Sequence, residues 1–159
     1  MDKKKFVKEW LPSVIIVVVT VIIKVAILDV VTVKGISMEP TLVDKNKLII
    51  EKVSTYRKDF NRGDIVIVKN PQNEDFLVKR LVALEGETIE CINNTIYIND
   101  KKLNEDYLKK DVYTSDIPKT QVPKGYIYVL GDNRPRSKDS RELGAIKYKS
   151  IIGKVIYIK

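Results

Sequence analysis

Ser37 stands in "VKGISMEPTL" between a Gly-Ile pair and a Met-x-Pro turn, an order that no β-turn requires. A serine that attacks a carbonyl needs a base to take its proton, and histidine is the usual one. The chain contains no histidine. The bases that remain are a lysine, a carboxylate or the N-terminal amine. A lysine serves only if its pKa falls from about 10.4 to about 7–8. That fall costs about 4 kcal/mol, at about 1.36 kcal/mol per pH unit. Burial among apolar groups, away from carboxylates, produces it.

Most lysines in the chain have polar neighbours, but Lys79 lies in the apolar run "DFLVKRLVAL". In a strand, alternation sends Lys79 and Arg80 to opposite faces. Leu77 and Leu81 then share the face of Lys79, and Val78 and Val82 that of Arg80. Two readings follow: a lysine held neutral in a leucine row, or two long side chains snorkelling from an edge strand. A third stretch, "YVLGDNRPRSKDSRELG", ends a strand at Gly131-Asp132-Asn133 and then gathers two serines, three arginines and Asp139. It reads as a polar surface loop tied by Asx-turns and ion pairs. It reads equally as a rigid loop in which Asp–Arg pairs set the shape and a serine orients the base.

These stretches need elements to position them. At the N-terminus, Leu11–Leu28 is an 18-residue run with 14 strongly apolar residues. As a helix it covers roughly 27 Å, close to a bilayer's hydrocarbon thickness. Pro12 is expected in the first helical turn, where its missing N–H costs little. Lys24, near the far end, is expected to snorkel to the interface. A cleaved signal peptide is disfavoured because "AILDVVTVKG" offers no convincing small-x-small site. A buried core segment is the other reading, since Ile15–Val19 is rich in β-branched residues. Lys3, Lys4, Lys5 and Lys8 precede the run, so the positive-inside rule keeps the N-terminus cytoplasmic. The expected division is a cytoplasmic segment 1–10, a transmembrane anchor 11–30 and an extracytoplasmic domain 31–159.

Past the anchor, short β-branched runs are bounded by Gly, Asn, Asp or Pro. They are "DVVTVKG", "NKLIIEKV", "GDIVIVKN", "DFLVKRLVAL", "ETIECI", "NTIYIND", "GYIYVLGDN" and "IIGKVIYIK". "INNT" predicts a hairpin turn, because Asn tolerates positive φ. Residues 100–125 are polar with two prolines and read as a loop or the edge of a small lobe. The predicted fold class is mainly β, an all-β domain with a small inserted lobe behind one N-terminal helix.

Composition narrows the partners. With 44% hydrophobic and 31% charged residues over 159 positions, the chain has the make-up of one globular domain. Its net charge of +8 is spread along the sequence, with few aromatics among the lysines. That favours a lysine-rich surface over a nucleic-acid partner. One cysteine, Cys91, and no histidine leave neither a disulfide nor an ordinary zinc site. No metal and no cofactor are expected, and Cys91 reads as a packed strand residue.

The three stretches, in this order behind one apolar segment, resemble bacterial type I signal peptidases. "GISMEPTL" is similar to that family's nucleophile box, "VKRLVALEGE" to its lysine box and "GDNRPRSKDSRELG" to its C-terminal box. The resemblance implies a membrane-anchored serine endopeptidase that removes signal peptides from exported preproteins after small residues, with an Ala-x-Ala preference. It implies Ser37 as nucleophile and Lys79 as general base, with Ser137 hydrogen-bonding the lysine. It also implies structural roles for Arg80, Asp132, Asp139 and Arg141, with Met38 and Pro40 shaping the nucleophile turn. Gly35 stands where some relatives carry a serine that completes the oxyanion hole. The hole here would rest on the Ser37 N–H and one further donor. The implied partners are preproteins and membrane lipid. Two other functions remain open: a tethered basic β-domain that binds anionic lipid or cell-wall polymer, and a self-cleaving Ser–Lys protease of the repressor type.

Overall fold

Alternating apolar residues fold as strands where the pattern predicted them. The computed structural model describes residues 3–73, 75–110 and 112–159, with the side chains of 3–7 and 23–26 left aside. The order is α1 (Lys3–Ala26), β1 (Leu28–Thr32), β2 (Lys47–Glu51), α2 (Val53–Arg57), β3 (Ile65–Lys69) and β4 (Phe76–Ala83). There follow β5 (Thr88–Ile92), β6 (Thr95–Ile98), β7 (Lys101–Lys102) and β8 (Ile117–Gln121). The chain then closes with β9 (Tyr126–Leu130), α3 (Ser140–Leu143), β10 (Ile146–Lys147) and β11 (Ile151–Ile158).

The strands form a seven-stranded sheet, β1-β2-β11-β3-β4-β9-β10, and a four-stranded sheet, β7-β6-β5-β8. The smaller sheet is inserted between β4 and β9, which is the expected small lobe. The fold is mainly β. Between β5 and β6, Asn93 and Asn94 take φ of 49° and 64°, the left-handed pair of a two-residue hairpin. Residues 100–125 contain a strand that the composition hid. β8 carries Pro118 at a register irregularity on the edge of the smaller sheet, a place where a missing N–H breaks no ladder bond.

Alternation divides the core. Val66 and Val68 of β3 pack with Leu81 and Leu77 of β4, whereas Ile65 and Ile67 pack with Val78, Met38 and Leu42. A third cluster joins Val82, Ala83, Tyr128 and Leu130 of the large sheet to Ile89, Cys91 and Ile96 of the small one. Cys91 is a packing residue there: its thiol is 1% exposed and burial raises its pKa.

The N-terminal helix differs from expectation at both ends. It starts at Lys3, which puts Pro12 inside it rather than in its first turn, and it ends at Ala26. Leu28, Asp29 and Val30, expected at the end of the anchor, belong to β1 and pair with Glu51, Ile50 and Ile49. The described side chains of α1, residues 8–22, are all exposed. Among the described residues no helix is long and apolar enough to cross a membrane. The side chains of Lys3, Lys4, Lys5 and Lys24 lie outside the described residues.

Candidate active site

The turn after β1 presents Ser37. Gly35 has φ +93°, a left-handed value that side chains rarely adopt, although a Cβ there would meet nothing within 4 Å. Its N–H donates to Asp44 Oδ1 at 2.8 Å. Met38 is 1% exposed in the cluster with Leu42, and its carbonyl accepts the Leu42 N–H at 2.9 Å. Burying Met38 on one side of the turn pins Ser37 beside it. Pro40 is exposed and follows a cis peptide. From the far side, the Asn133 N–H donates to the Ser37 carbonyl and its Nδ2 to that of Ile36, both at 3.0 Å.

β4 supplies the amine. It lies between β3 and β9, so it is an interior strand and Lys79 does not snorkel from an edge. Leu77 and Leu81, two residues either side, sit in the apolar cluster of that face. Lys79 is 2% exposed, and its Nζ lies 2.7 Å from Ser37 Oγ and 3.0 Å from the Val78 carbonyl. Burial lowers its pKa from 10.5 to about 8. Asp139 and then Asp132 pull it up, and Arg141 pushes it down. A hydroxyl and an amine at this distance, with the amine's pKa lowered well below its ordinary value, have the geometry for proton transfer.

Arg80, the next residue, meets a different partner. Its Nε and Nη2 bind the two oxygens of Asp132 at 2.9 and 2.7 Å, and Nη1 donates to the Gly63 carbonyl at 2.9 Å. Thr41 Oγ1, four residues past Ser37, donates to Asp132 Oδ2 at 2.5 Å. Asp139 accepts the Gly131 N–H at 3.0 Å and binds Arg141 Nε and Nη2 at 2.9 and 2.8 Å. The two Asp–Arg pairs therefore tie β4, the nucleophile turn and the 131–141 loop into one polar unit.

Ser137 departs from expectation. Its Oγ is buried and has no hydrogen-bond partner among the described residues, so the bond to Lys79 is not made. The hydroxyl is instead packed against Gly131. A Cβ on Gly131 would fall 2.1 Å from Ser137 Oγ and 2.5 Å from the Ser37 carbonyl oxygen, so that position admits no side chain.

Several residues of the site were not singled out by sequence. Arg134, one of three arginines in its loop, is 1% exposed and donates to the Gly131 carbonyl at 3.1 Å. Its partner Glu105 comes from the polar stretch 100–125. From the same stretch, the Tyr107 ring lies against Arg80. Nothing local marks these residues, because their partners are 27 and 29 positions away in sequence. Among the described residues no group of three or more His, Cys, Asp or Glu is placed to hold a metal.

The profile described as "Signal peptidase, peptidase S26" matches residues 7–158. The chain belongs to that family. It is 39% identical to signal peptidase I of Bacillus licheniformis, over 96% of this chain and 88% of that one. It is 34% identical to signal peptidase IB of Staphylococcus aureus (strain COL), over 97% and 90%. A crystal structure of a signal peptidase I from Enterococcus faecalis V583 superposes with a TM-score of 0.56 at 38% identity, over 62% of this chain and 97% of that one. The activity is therefore that of a type I signal peptidase, and signal-peptide-bearing preproteins are the substrates. A lipid- or polymer-binding module without catalysis does not account for this match.

Proposed function

We propose that this signal peptidase cuts with a Ser–Lys dyad, Ser37 as nucleophile and Lys79 as general base, from a single membrane anchor. The observation that carries the dyad is the 2.7 Å contact between Lys79 Nζ and Ser37 Oγ inside a buried site. Neutral Lys79 takes the Ser37 proton as the Oγ–C bond forms, and the lysinium returns a proton to the leaving amine as the C–N bond breaks. A water then loses its proton to Lys79 and attacks the acyl carbon, and the lysinium reprotonates the departing Ser37 oxygen. The Ser37 N–H is one donor of the oxyanion hole. The Gly35 N–H is engaged with Asp44, which argues against it as the second.

The substrate strand is read as pairing between the turn that carries Ser37 and the first half of β4, whose register with β9 begins only at Arg80, with small side chains in shallow pockets at the first and third positions before the cut. Ala-x-Ala preference follows from that reading. The anchor reading is supported by α1, whose apolar side chains from Trp10 to Ile22 are exposed, and by the lysines that precede them. It sets the N-terminus in the cytoplasm, the catalytic domain outside, and enzyme and preprotein on one membrane surface, which raises their effective concentration.

Ser37→Ala and Lys79→Ala are each expected to abolish processing of a preprotein in detergent or liposomes, with circular dichroism unchanged. Cleavage retained by either folded variant would sink the dyad. Flotation of the full chain with liposomes, lost on deletion of residues 1–26, tests the anchor.

A further inference from the structure

Two of the side chains by which the inserted lobe reaches the site have no task in the peptidase mechanism. Both come from the stretch between β7 and β8. Tyr107 lays its ring 3.9 Å from the guanidinium carbon of Arg80, within reach of a cation–π contact. Its hydroxyl donates to Glu105 Oε1 at 2.6 Å. Glu105 in turn pairs with Arg134, whose side chain is fully buried. Arg134 Nε donates to the Gly131 carbonyl and Nη1 to Thr114 Oγ1, at 3.1 and 2.9 Å.

The chain Arg80–Tyr107–Glu105–Arg134 thus brackets the turn at Gly131 and Asp132. One end holds the arginine that binds Asp132. The other holds the carbonyl of the glycine packed against Ser137 and Ser37. A buried arginine without its carboxylate would be an unpaired charge inside the protein, so Glu105 is what permits Arg134 to sit under that turn.

We propose that Glu105 and Tyr107 are positioning residues for signal-peptide cleavage: they fix Arg80 and Arg134, and through them hold the Asp132 turn against Ser37 and Lys79. The proposal rests on the dyad reading above. The charged groups that face Lys79 are Asp139 and Asp132 from the turn and Arg141 from α3, with Arg80 on its own strand bound to Asp132. Loosening Arg80 leaves the Asp132 charge less neutralised. That charge favours lysinium, so the acid limb of activity moves to higher pH.

The test is the pH dependence of kcat and KM for a signal-peptide-bearing preprotein, normalised to active-site concentration. Tyr107→Leu is expected to lower kcat roughly tenfold, with KM changed less than about twofold, and to move the acid limb upward. Tyr107→Phe keeps the ring and is expected to restore the limb and most of kcat. Glu105→Gln, of matching size, is expected to lower kcat above the limb severalfold. An acid limb of Tyr107→Leu that coincides with the wild type would overturn the proposal, since a purely structural role lowers only the active fraction. If Tyr107→Leu does not fold, an unchanged kcat in Glu105→Gln overturns it alone. Lys79→Ala is measured beside them: activity retained there defeats the dyad, whereas an inactive Lys79→Ala with an unmoved Tyr107→Leu limb defeats only this inference.

Discussion

Lys79 and Arg80 are adjacent on β4, both cationic by type and both buried, yet their surroundings are opposed. Arg80 meets a carboxylate with two of its nitrogens and a tyrosine face with its plane. Lys79 meets a hydroxyl and a carbonyl, neutral acceptors that return little of the hydration it gives up. Burial makes an ion only where a counter-ion is buried with it. One strand therefore carries a structural cation and, one residue earlier, an amine that burial drives toward neutrality. Arginine suits the first place because it stays charged at any accessible pH, and lysine the second because it does not.

The comparison can be broken first on the arginine side. Asp132→Asn removes the counter-ion and leaves Arg80 buried alone. The expected loss is about 3–5 kcal/mol in urea or thermal unfolding, as for other buried pairs cut on one side. A loss below about 1 kcal/mol would show that Arg80 is hydrated and that the contrast with Lys79 is false. It is sharpened on the lysine side by Lys79→Met, which keeps the volume and removes the ionisable group. The folded pKa of Lys79 is about 8 against 10.5 in an ordinary setting. Between those values the unfolded chain binds more protons, so wild-type stability rises with pH across that window. Lys79→Met lacks this slope and is expected to be inactive yet more stable at pH 7, by roughly 3 kcal/mol at most. Parallel stability–pH curves for the two proteins would show that Lys79 keeps its ordinary pKa. The smallest effect lies in the nucleophile turn. Gly35→Ser has room for its Cβ but must adopt φ +93°, so a destabilisation of about 1 kcal/mol is expected. No measurable change in unfolding would mean that the turn relaxes freely.

How far the sequence revealed this depends on the range of the interaction. The face of Lys79 was legible because alternation within one strand places Leu77 and Leu81 beside it, and the core clusters follow that parity. Ser37 was legible as a serine with no histidine to serve it. The likeness to signal peptidases implied structural roles for Arg80, Asp132, Asp139 and Arg141 without saying which would pair; in the fold Asp132 binds Arg80 and Asp139 binds Arg141. What stayed hidden were contacts across the sheets. Residues 100–125 have the composition of a loop because most of their polar side chains are exposed, while a few reach the other lobe, Glu105 to Arg134 and Tyr107 to Arg80. Pro118 hid β8, since proline in a strand is allowed only on an edge, and edges cannot be read from one segment. Ser137 shows the reverse error: its box is at the site, but its hydroxyl packs against Gly131 and makes no hydrogen bond to the amine it was expected to orient.

Gly131 fixes how tightly the site is closed. Three chain segments, those of Ser37, Gly131 and Ser137, converge on a volume too small for one methyl group. The atoms that close it are the Ser37 carbonyl oxygen and the Cβ and Oγ of Ser137, so the approach of the two segments is set by a glycine facing a serine-sized side chain. A larger residue at position 131 would push the Ser37 carbonyl and the Ser137 side chain apart, and the nucleophile turn with them.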